Sequence, residues 1–419
     1  MLYDWLEAQR ALARAAGVWS ACVGQLCGLP ARTDEPVGLP GYGWLWRFFQ
    51  RPPAPPPFGI TCISNGRERI AIDETVVERT PFCALRLFSR RQPGAAPADS
   101  PHDAIFLCAP LAGHHAVMLR ETVETLLQES DVYVTDWADA RDVPLADGAF
   151  GLDDYVLTLE RFMLRAGPRR LHVIAVCQAT APTLAAAALL AARGEPAPLS
   201  LTLMGGPIDT RFNPTSIDRL ATAHDVEWFR WAVIDTVPSG YRGAGRRVYP
   251  GYLQHAAIVA AHPHRQLALE SRYWASRVSH DAARIAASQR ALDEYAAVLD
   301  MTEDYFLDTV RVVFREQRLA RGTWEVGGQR VRGDALVDTA LATVEGDRDD
   351  ITGAGQTHAA HALCPRVPEA MRMRLSIREC DHYDLFSGPR WREEIHPALA
   401  CFRRAVRHRV RQHRQSMAS

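Results

Sequence analysis

Disulfide spacing, membrane-spanning runs, nucleotide-binding glycine motifs and an excess of charge of either sign are all missing from this 419-residue chain. Its nine cysteines are odd in number and form no C-x-x-C pair, which excludes a disulfide framework and fits a reducing compartment. No stretch of about twenty apolar residues could span a bilayer. The opening M-L-Y-D-W-L-E-A-Q-R has neither the charged start nor the apolar run of a signal peptide, so the expected location is the cytoplasm. Neither G-x-G-x-x-G nor G-x-x-x-x-G-K-[ST] occurs, so no nucleotide cofactor is implied. Net charge is −1 with no basic stripe, which argues against a nucleic-acid partner. The locally basic tail, Arg403 to Arg414, reads as a solvated helix end.

What is present is ordinary for a soluble enzyme-sized chain: 47% hydrophobic and 23% charged residues, enough to bury a large core. Leu2, Trp5, Leu6, Leu12, Trp19, Val23 and Leu26 keep one face of a helix apolar. An aromatic segment, L-P-G-Y-G-W-L-W-R-F-F-Q, and a stiff proline run at Pro52 to Pro57 follow, so residues 1–57 form an N-terminal unit. That helix either packs on the core or contacts a surface, and homo-oligomerisation through Trp5, Trp19, Trp44 and Trp46 is a further reading. Ile60 to Ile63, Arg69 to Val77 and Cys83 to Phe88 predict antiparallel strands. Ala104 to Leu111 and Val132 to Trp137 predict buried strands of the βαβ kind, with helices near His115 to Leu127 and Leu152 to Arg165.

Leu171 to Thr180, L-H-V-I-A-V-C-Q-A-T, carries the strongest signal. A β-branched and apolar run stops at Cys177, and a helix is predicted from Gln178 to about Arg193. Strand, sharp turn and helix, with a nucleophile between small residues (Ala175 and Ala179), resembles the nucleophile elbow of the α/β-hydrolase fold, here with Cys for Ser and Ala for both glycines. Alone, such a cysteine is as readily a small core hydrophobe. In this fold an acid and then a histidine follow later strands. Val337 to Val344 reads as a strand, and E-G-D-R-D-D-I follows it, which makes Asp349 the candidate acid, with Asp347 and Asp350 as close rivals. Met373 to Cys380 reads as a further strand, and His382 in D-H-Y-D-L-F is the candidate base.

A thiol is a weak nucleophile until deprotonated, and a helix N-terminus with an adjacent imidazole favours the thiolate. His382 would take the thiol proton and return it to the leaving alkoxide, while Asp349 fixes the imidazole tautomer. The oxyanion of the tetrahedral intermediate needs backbone donors: the N–H of Gln178 and a second from A-P-L-A-G-H-H-A, at Leu111 or Ala112. The H-A-A-H pair His358 and His361 has metal-ligand spacing but no third ligand and no H-E-x-x-H glutamate, so no metal is expected. After Leu199 to Met204, residues 208–333 turn mostly helical and rich in aromatics. They form an inserted lid between two halves of a catalytic core, 58–207 and 334–419. Candidates for substrate contact are His114, Tyr252, Trp228 and Trp274; His114 and His115 otherwise simply begin the next helix.

V-I-A-V-C-Q-A, P-L-A-G-H-H-A, Y-P-G-Y-L-Q, T-V-E-G-D-R-D-D-I-T-G-A-G-Q-T and H-Y-D-L-F-S-G together resemble the intracellular polyhydroxybutyrate depolymerases over nearly the whole chain. The resemblance implies an α/β-hydrolase with a mostly parallel sheet flanked by helices and a Cys-Asp-His triad at Cys177, Asp349 and His382. It further implies amorphous poly(3-hydroxybutyrate) of intracellular granules as substrate, small ester products, and water or coenzyme A as acceptor. Two alternatives stand beside it. One is a polyhydroxyalkanoate synthase-like acyltransferase, whose usual G-x-C-x-G is here A-V-C-Q-A; the other is a non-catalytic granule-binding protein.

Overall fold

The computed structural model describes residues 2–9, 55–66, 68–91, 103–279 and 281–418. Most of the apolar stripe expected over residues 2–27, the aromatic segment 39–50 and residues 52–54 of the proline run lie outside the described residues. Trp19, Trp44 and Trp46 are among them.

A nine-stranded sheet organises the molecule. β1 (Cys62–Asn65), β2 (Glu68–Arg79) and β3 (Cys83–Arg90) form an antiparallel edge. β4 (Ala104–Cys108), β5 (Val132–Trp137), β6 (Leu171–Val176), β7 (Ser200–Met204), β8 (Ala340–Gly346) and β9 (Arg372–Ile377) are parallel to one another. The spatial order is β1-β2-β3-β5-β4-β6-β7-β8-β9, with β3 antiparallel to β5. This is an α/β-hydrolase fold: a mostly parallel sheet covered by helices on both faces.

The central strands read as unbroken apolar runs because both their faces are covered. In β6 every residue is buried; Val173 and Ala175 enter one core, and Ile174 and Val176 the other. On the first side lie α2 (Leu152–Ala166) and α3 (Thr180–Ala192), and on the second α1 (Arg120–Leu126). Helix α3, T-A-P-T-L-A-A-A-A-L-L-A-A, is buried from Thr180 through Leu190. Its alanines combine high helix propensity with the small cross-section such a position requires. β4 stops at Cys108, short of the expected Leu111. Pro110 has no N–H to give a neighbouring strand, so the chain leaves the sheet there.

Between β7 and β8 lies an insertion containing α4 (Ser216–Ala223), α5 (Val226–Val233), α6 (Gly251–Ala261), α7 (Pro263–Val278), α8 (Ala282–Ala296) and α9 (Glu303–Thr309). Side chains of Thr215, Asp225 and Asp281 cap α4, α5 and α8. The insertion also holds a small antiparallel sheet of Asp235–Thr236, Arg247–Tyr249 and Met301–Thr302 that the helical reading did not include. Strands this short leave no periodic signal.

Residues 2–9 are helical and pack on this insertion. Tyr3 and Leu6 are buried against Val237, Tyr241, Val248 and Tyr252, whereas Leu2 and Trp5 are exposed. The Tyr3 hydroxyl donates to Asp300 Oδ2 at 2.7 Å, and the Gly251 N–H donates to Oδ1 at 2.7 Å. The Asp300 N–H donates to Asp139 Oδ1 at 3.2 Å, and Arg141 pairs with Asp139 at 2.8 Å. Burial, reinforced by the charge of Asp139, pushes the Asp300 carboxyl up to about 7. Burial raises Asp139 to about 6 against the pull of Arg141.

The last helix, α10 (His396–Ala418), corrects one expectation. Arg403 is buried and paired with Glu129 at 3.1 Å, and Arg407 with Asp103, so the start of the basic stretch is packed on the core rather than solvated. No described helix is long and apolar enough to cross a membrane.

Candidate active site

Every group proposed from sequence for the chemistry follows the C-terminal end of a parallel strand. Val176 closes β6, Cys177 takes φ 55°, and a single 3-10 turn, Cys177–Ala179, leads into α3. A left-handed backbone at a residue with a Cβ costs about 1–3 kcal/mol and persists only where the surroundings hold it. Ala175 and Ala179 on either side are fully buried, and the Thr180 hydroxyl donates to the Cys177 carbonyl at 2.9 Å. The demand for small residues extends to Gly205 and Gly206, which follow β7. A Cβ on Gly206 would lie 1.9 Å from Thr180 Oγ1 and 2.3 Å from the Cys177 carbonyl oxygen. Gly205, at φ 54°, backs onto Leu385, Asp349 and His382.

The structure brings Cys177, His382 and Asp349 together. His382 Nδ1 is 2.8 Å from Asp349 Oδ2, and Cys177 lies beside the same imidazole. Both His382 and the Asp349 carboxylate are buried. Burial by itself would lower the imidazole pKa, but the neighbouring Asp349 carboxylate and Cys177 thiol outweigh it and hold His382 well above its ordinary value. Asp349 is itself fixed, because its Oδ1 accepts the N–H groups of Ile351 at 3.0 Å and Thr352 at 2.8 Å. Its rivals sit elsewhere. Asp347 accepts the Cys380 N–H at 3.3 Å, and Asp350 is an exposed partner of His262 at 3.6 Å.

The loop after β4 is held by side chains. The Ala109 carbonyl accepts Trp137 Nε1–H and the Tyr155 hydroxyl, each at 2.9 Å, and the Ala109 N–H donates to Thr135 Oγ1 at 2.8 Å. Of the two candidate oxyanion donors, Ala112 is corrected: its N–H already donates to Gln178 Oε1 at 3.0 Å. Among the described residues Leu111 makes no such bond. Gly113 donates to Gln254 Oε1 at 3.0 Å, so the N–H that follows Ala112 is likewise committed.

Cys177, Gln178 and His382 open on a cavity of about 430 Å³ whose walls are mainly apolar, among them Leu220, Phe229, Ile258, Phe306, Val310 and Ile351. Of the residues expected to meet substrate, Trp228 and His114 line it. His114 Nε2 is 3.3 Å from the Tyr383 hydroxyl, and burial lowers its pKa to about 3, so it is a neutral wall residue. Tyr252 and Trp274 are corrections. Tyr252 lies in the cluster that receives the N-terminal helix, with its ring 5.3 Å from Tyr3, and Trp274 on α7 packs edge-on with Tyr273. Sequence gave these aromatics no direction, and helical phase turned them from the cavity. Phe229, Phe306 and Val310 were within reach of the same reasoning, since they belong to the insertion's own apolar cluster. The H-A-A-H histidines converge on the Thr343 hydroxyl, His358 Nδ1 at 2.6 Å and His361 Nε2 at 2.9 Å; no group of metal-ligating residues occurs among the described residues.

No curated protein sequence matches the chain. Among solved structures it is similar to a carboxylesterase of the ammonia-oxidizing thaumarchaeon Nitrososphaera gargenis, at 12% identity over 83% of this chain and 99% of that one, TM-score 0.44. A Paleococcus ferrophilus monoacylglycerol lipase is similar at 12% identity over 73% and 94%, TM-score 0.44. A bacterial membrane phospholipase A is similar at 14% identity over 81% and 87%, TM-score 0.40. The sequence profile that matches is that of the PHB de-polymerase C-terminus, over residues 205–407, a span that contains the insertion, Asp349 and His382. Over residues 205–407, therefore, the chain is similar to the PHB de-polymerase C-terminus, on an α/β-hydrolase fold.

Proposed function

We propose that the protein is a cytoplasmic poly(3-hydroxybutyrate) depolymerase that cleaves ester bonds of amorphous granule polymer through an acyl-enzyme on Cys177. The observation that carries this reading is Cys177 set beside the hydrogen-bonded His382–Asp349 pair at the floor of an apolar cavity. The family match supports the ester-hydrolase class and a polyester substrate.

In the forward step the thiol proton passes to His382 while sulfur bonds to the ester carbonyl carbon. Asp349 stabilises the imidazolium and holds its Nδ1–H. The carbonyl oxygen gains the electron pair and is met by the Gln178 and Leu111 N–H groups. Collapse expels the hydroxyl end of one chain fragment, which leaves with the proton from His382. Water then enters, gives a proton to His382 and attacks the thioester, releasing a 3-hydroxybutyrate-terminated acid and the thiol. Coenzyme A in place of water would give the acyl-CoA by the same steps.

The lid's outer helices suit a granule surface. Ile217, Leu220 and Trp228 line the cavity and are also exposed, and Trp231 beside them is 85% exposed. The test is release of soluble 3-hydroxybutyrate species from native amorphous granules, with Cys177→Ala in parallel and coenzyme A present or absent. Release that disappears in the variant is expected. Undiminished release from Cys177→Ala would overturn the mechanism, and no release from the wild type would overturn the substrate.

A further inference from the structure

Gln178 follows the nucleophile, and its backbone N–H is assigned above to the oxyanion. Its side chain does something separate. Oε1 receives two donors, the Ala112 N–H at 3.0 Å and the Tyr305 hydroxyl at 2.7 Å. A backbone N–H can only donate, so the amide orientation is fixed with oxygen toward Ala112, and the phenol must be the donor in the second bond. Tyr305 is fully buried, belongs to α9 of the insertion, and stacks on Tyr155 with ring centroids 5.4 Å apart. Tyr155 in turn donates to the Ala109 carbonyl, three residues before Ala112.

The same short loop meets the insertion at a second place. Gln254 Oε1 accepts the Gly113 N–H, while its Nε2 donates to the Tyr249 and Leu299 carbonyls at 3.1 and 3.0 Å. Backbone bonds continue the seam: Leu299 N–H to the Gly113 carbonyl at 3.2 Å and His115 N–H to the Ala297 carbonyl at 2.8 Å. The loop that carries Leu111 is thus held from the core side by Trp137 and Tyr155 and from the insertion side by Gln254 and, through Gln178, by Tyr305.

We infer that Tyr305 and the Gln178 side chain are positioning residues for the oxyanion site, joining the helical insertion to the loop whose N–H must meet the developing charge. This rests on the cysteine-dependent ester cleavage proposed above. The hydroxyl of Tyr305 fixes the Gln178 amide, the amide fixes Ala112, and Ala112 sets the direction of the Leu111 peptide next to it. Hydrogen bonds aimed at a transition-state oxyanion are steeply sensitive to position. The link therefore acts on turnover rather than on substrate affinity.

The test compares wild type, Tyr305→Phe, Gln178→Met and Cys177→Ala on p-nitrophenyl butyrate and, separately, in alkylation of Cys177 by iodoacetamide. Alkylation displaces iodide at carbon and forms no oxyanion, so it reads the thiolate alone. Tyr305→Phe keeps the ring and its stack and removes only the hydroxyl. The expected result is kcat lower by about 10- to 100-fold, KM within about threefold, and an alkylation rate within about twofold of wild type. A kcat within about twofold of wild type, or alkylation falling in step with kcat, would overturn the assignment. If Tyr305→Phe does not fold, Gln178→Met is decisive by the same readings, because it removes the shared acceptor from a half-buried position. Turnover that survives Cys177→Ala fails the parent reading and the inference with it, a pattern distinct from an unaffected Tyr305→Phe in a Cys177-dependent enzyme.

Discussion

Asp349→Asn separates the roles of the two carboxylate oxygens. In the native site one oxygen accepts two backbone N–H groups, from Ile351 and Thr352, and the other accepts His382 Nδ1–H. An asparagine has one oxygen for both tasks. Turned toward the backbone, it keeps both N–H bonds and presents its NH2 to His382, which forces Nδ1 to accept and places the ring proton on the nitrogen facing Cys177. That tautomer cannot take the thiol proton. Turned the other way, it restores the tautomer but leaves two buried N–H donors facing an NH2, at about 1–3 kcal/mol each. Reaching the productive state from the preferred one therefore costs about 2–6 kcal/mol, a fall in kcat/KM of about 30- to 3 × 10⁴-fold. Steady-state kinetics on p-nitrophenyl butyrate at neutral pH measure it, and thermal unfolding should show little change, since the backbone bonds survive. A kcat/KM within about threefold of wild type would refute the argument that Asp349 sets the imidazole tautomer.

Two further outcomes follow from packing and burial. Asp300 and Asp139 hold protons in the folded chain that ordinary carboxylates, with pKa near 3.9, have already released. Their contribution to stability is therefore full below about pH 4 and is lost as pH rises through their folded values, about 6 and about 7. Asp300→Asn cannot ionise, so urea unfolding at a series of pH values should show a shallower decline across that window; an unchanged slope would remove Asp300 from the account. Gly206→Ala should destabilise by about 3 kcal/mol or more, because its Cβ would meet the Cys177 carbonyl and Thr180 at distances that only a backbone shift can relieve. Urea unfolding checks this, and near-native stability with native kcat would show that the elbow has more room than the geometry allows.

The central parallel strands were legible because they are buried on both faces, so their residue types alone mark them, as in L-H-V-I-A-V and A-L-A-T-V, whereas the edge strand β9 showed itself by apolar–polar alternation. The same holds for the residues after those strands: Cys177, Asp349 and His382 were named from chain order and strand ends. Choosing among Asp347, Asp349 and Asp350 needed more, because three carboxylates within four residues differ only in which way their peptides turn, and that is set by Ile351 and Thr352. The substrate wall was read least well. Trp228 and His114 reach the cavity while Tyr252 and Trp274 face elsewhere, since a helix offers several apolar directions and the partner in each is chosen by tertiary packing. The side-chain clamps of Gln178, Gln254 and Tyr305 left no trace in composition or period, because a hydrogen bond spanning 127 residues, as between Tyr305 and Gln178, has no local pattern.

The position of the insertion within the chain has a consequence during synthesis. His382 is made 205 residues after Cys177, and the whole helical insertion separates them. At translation speeds of about 5–20 residues per second, the thiol exists for roughly ten to forty seconds before its base has been polymerised. In that interval the elbow lacks the His382 imidazole and the clamps of Gln254 and Tyr305 that steady its neighbouring loop. The order of elements along the chain thus leaves the Cys177 thiol without its proposed partner for the whole of that interval.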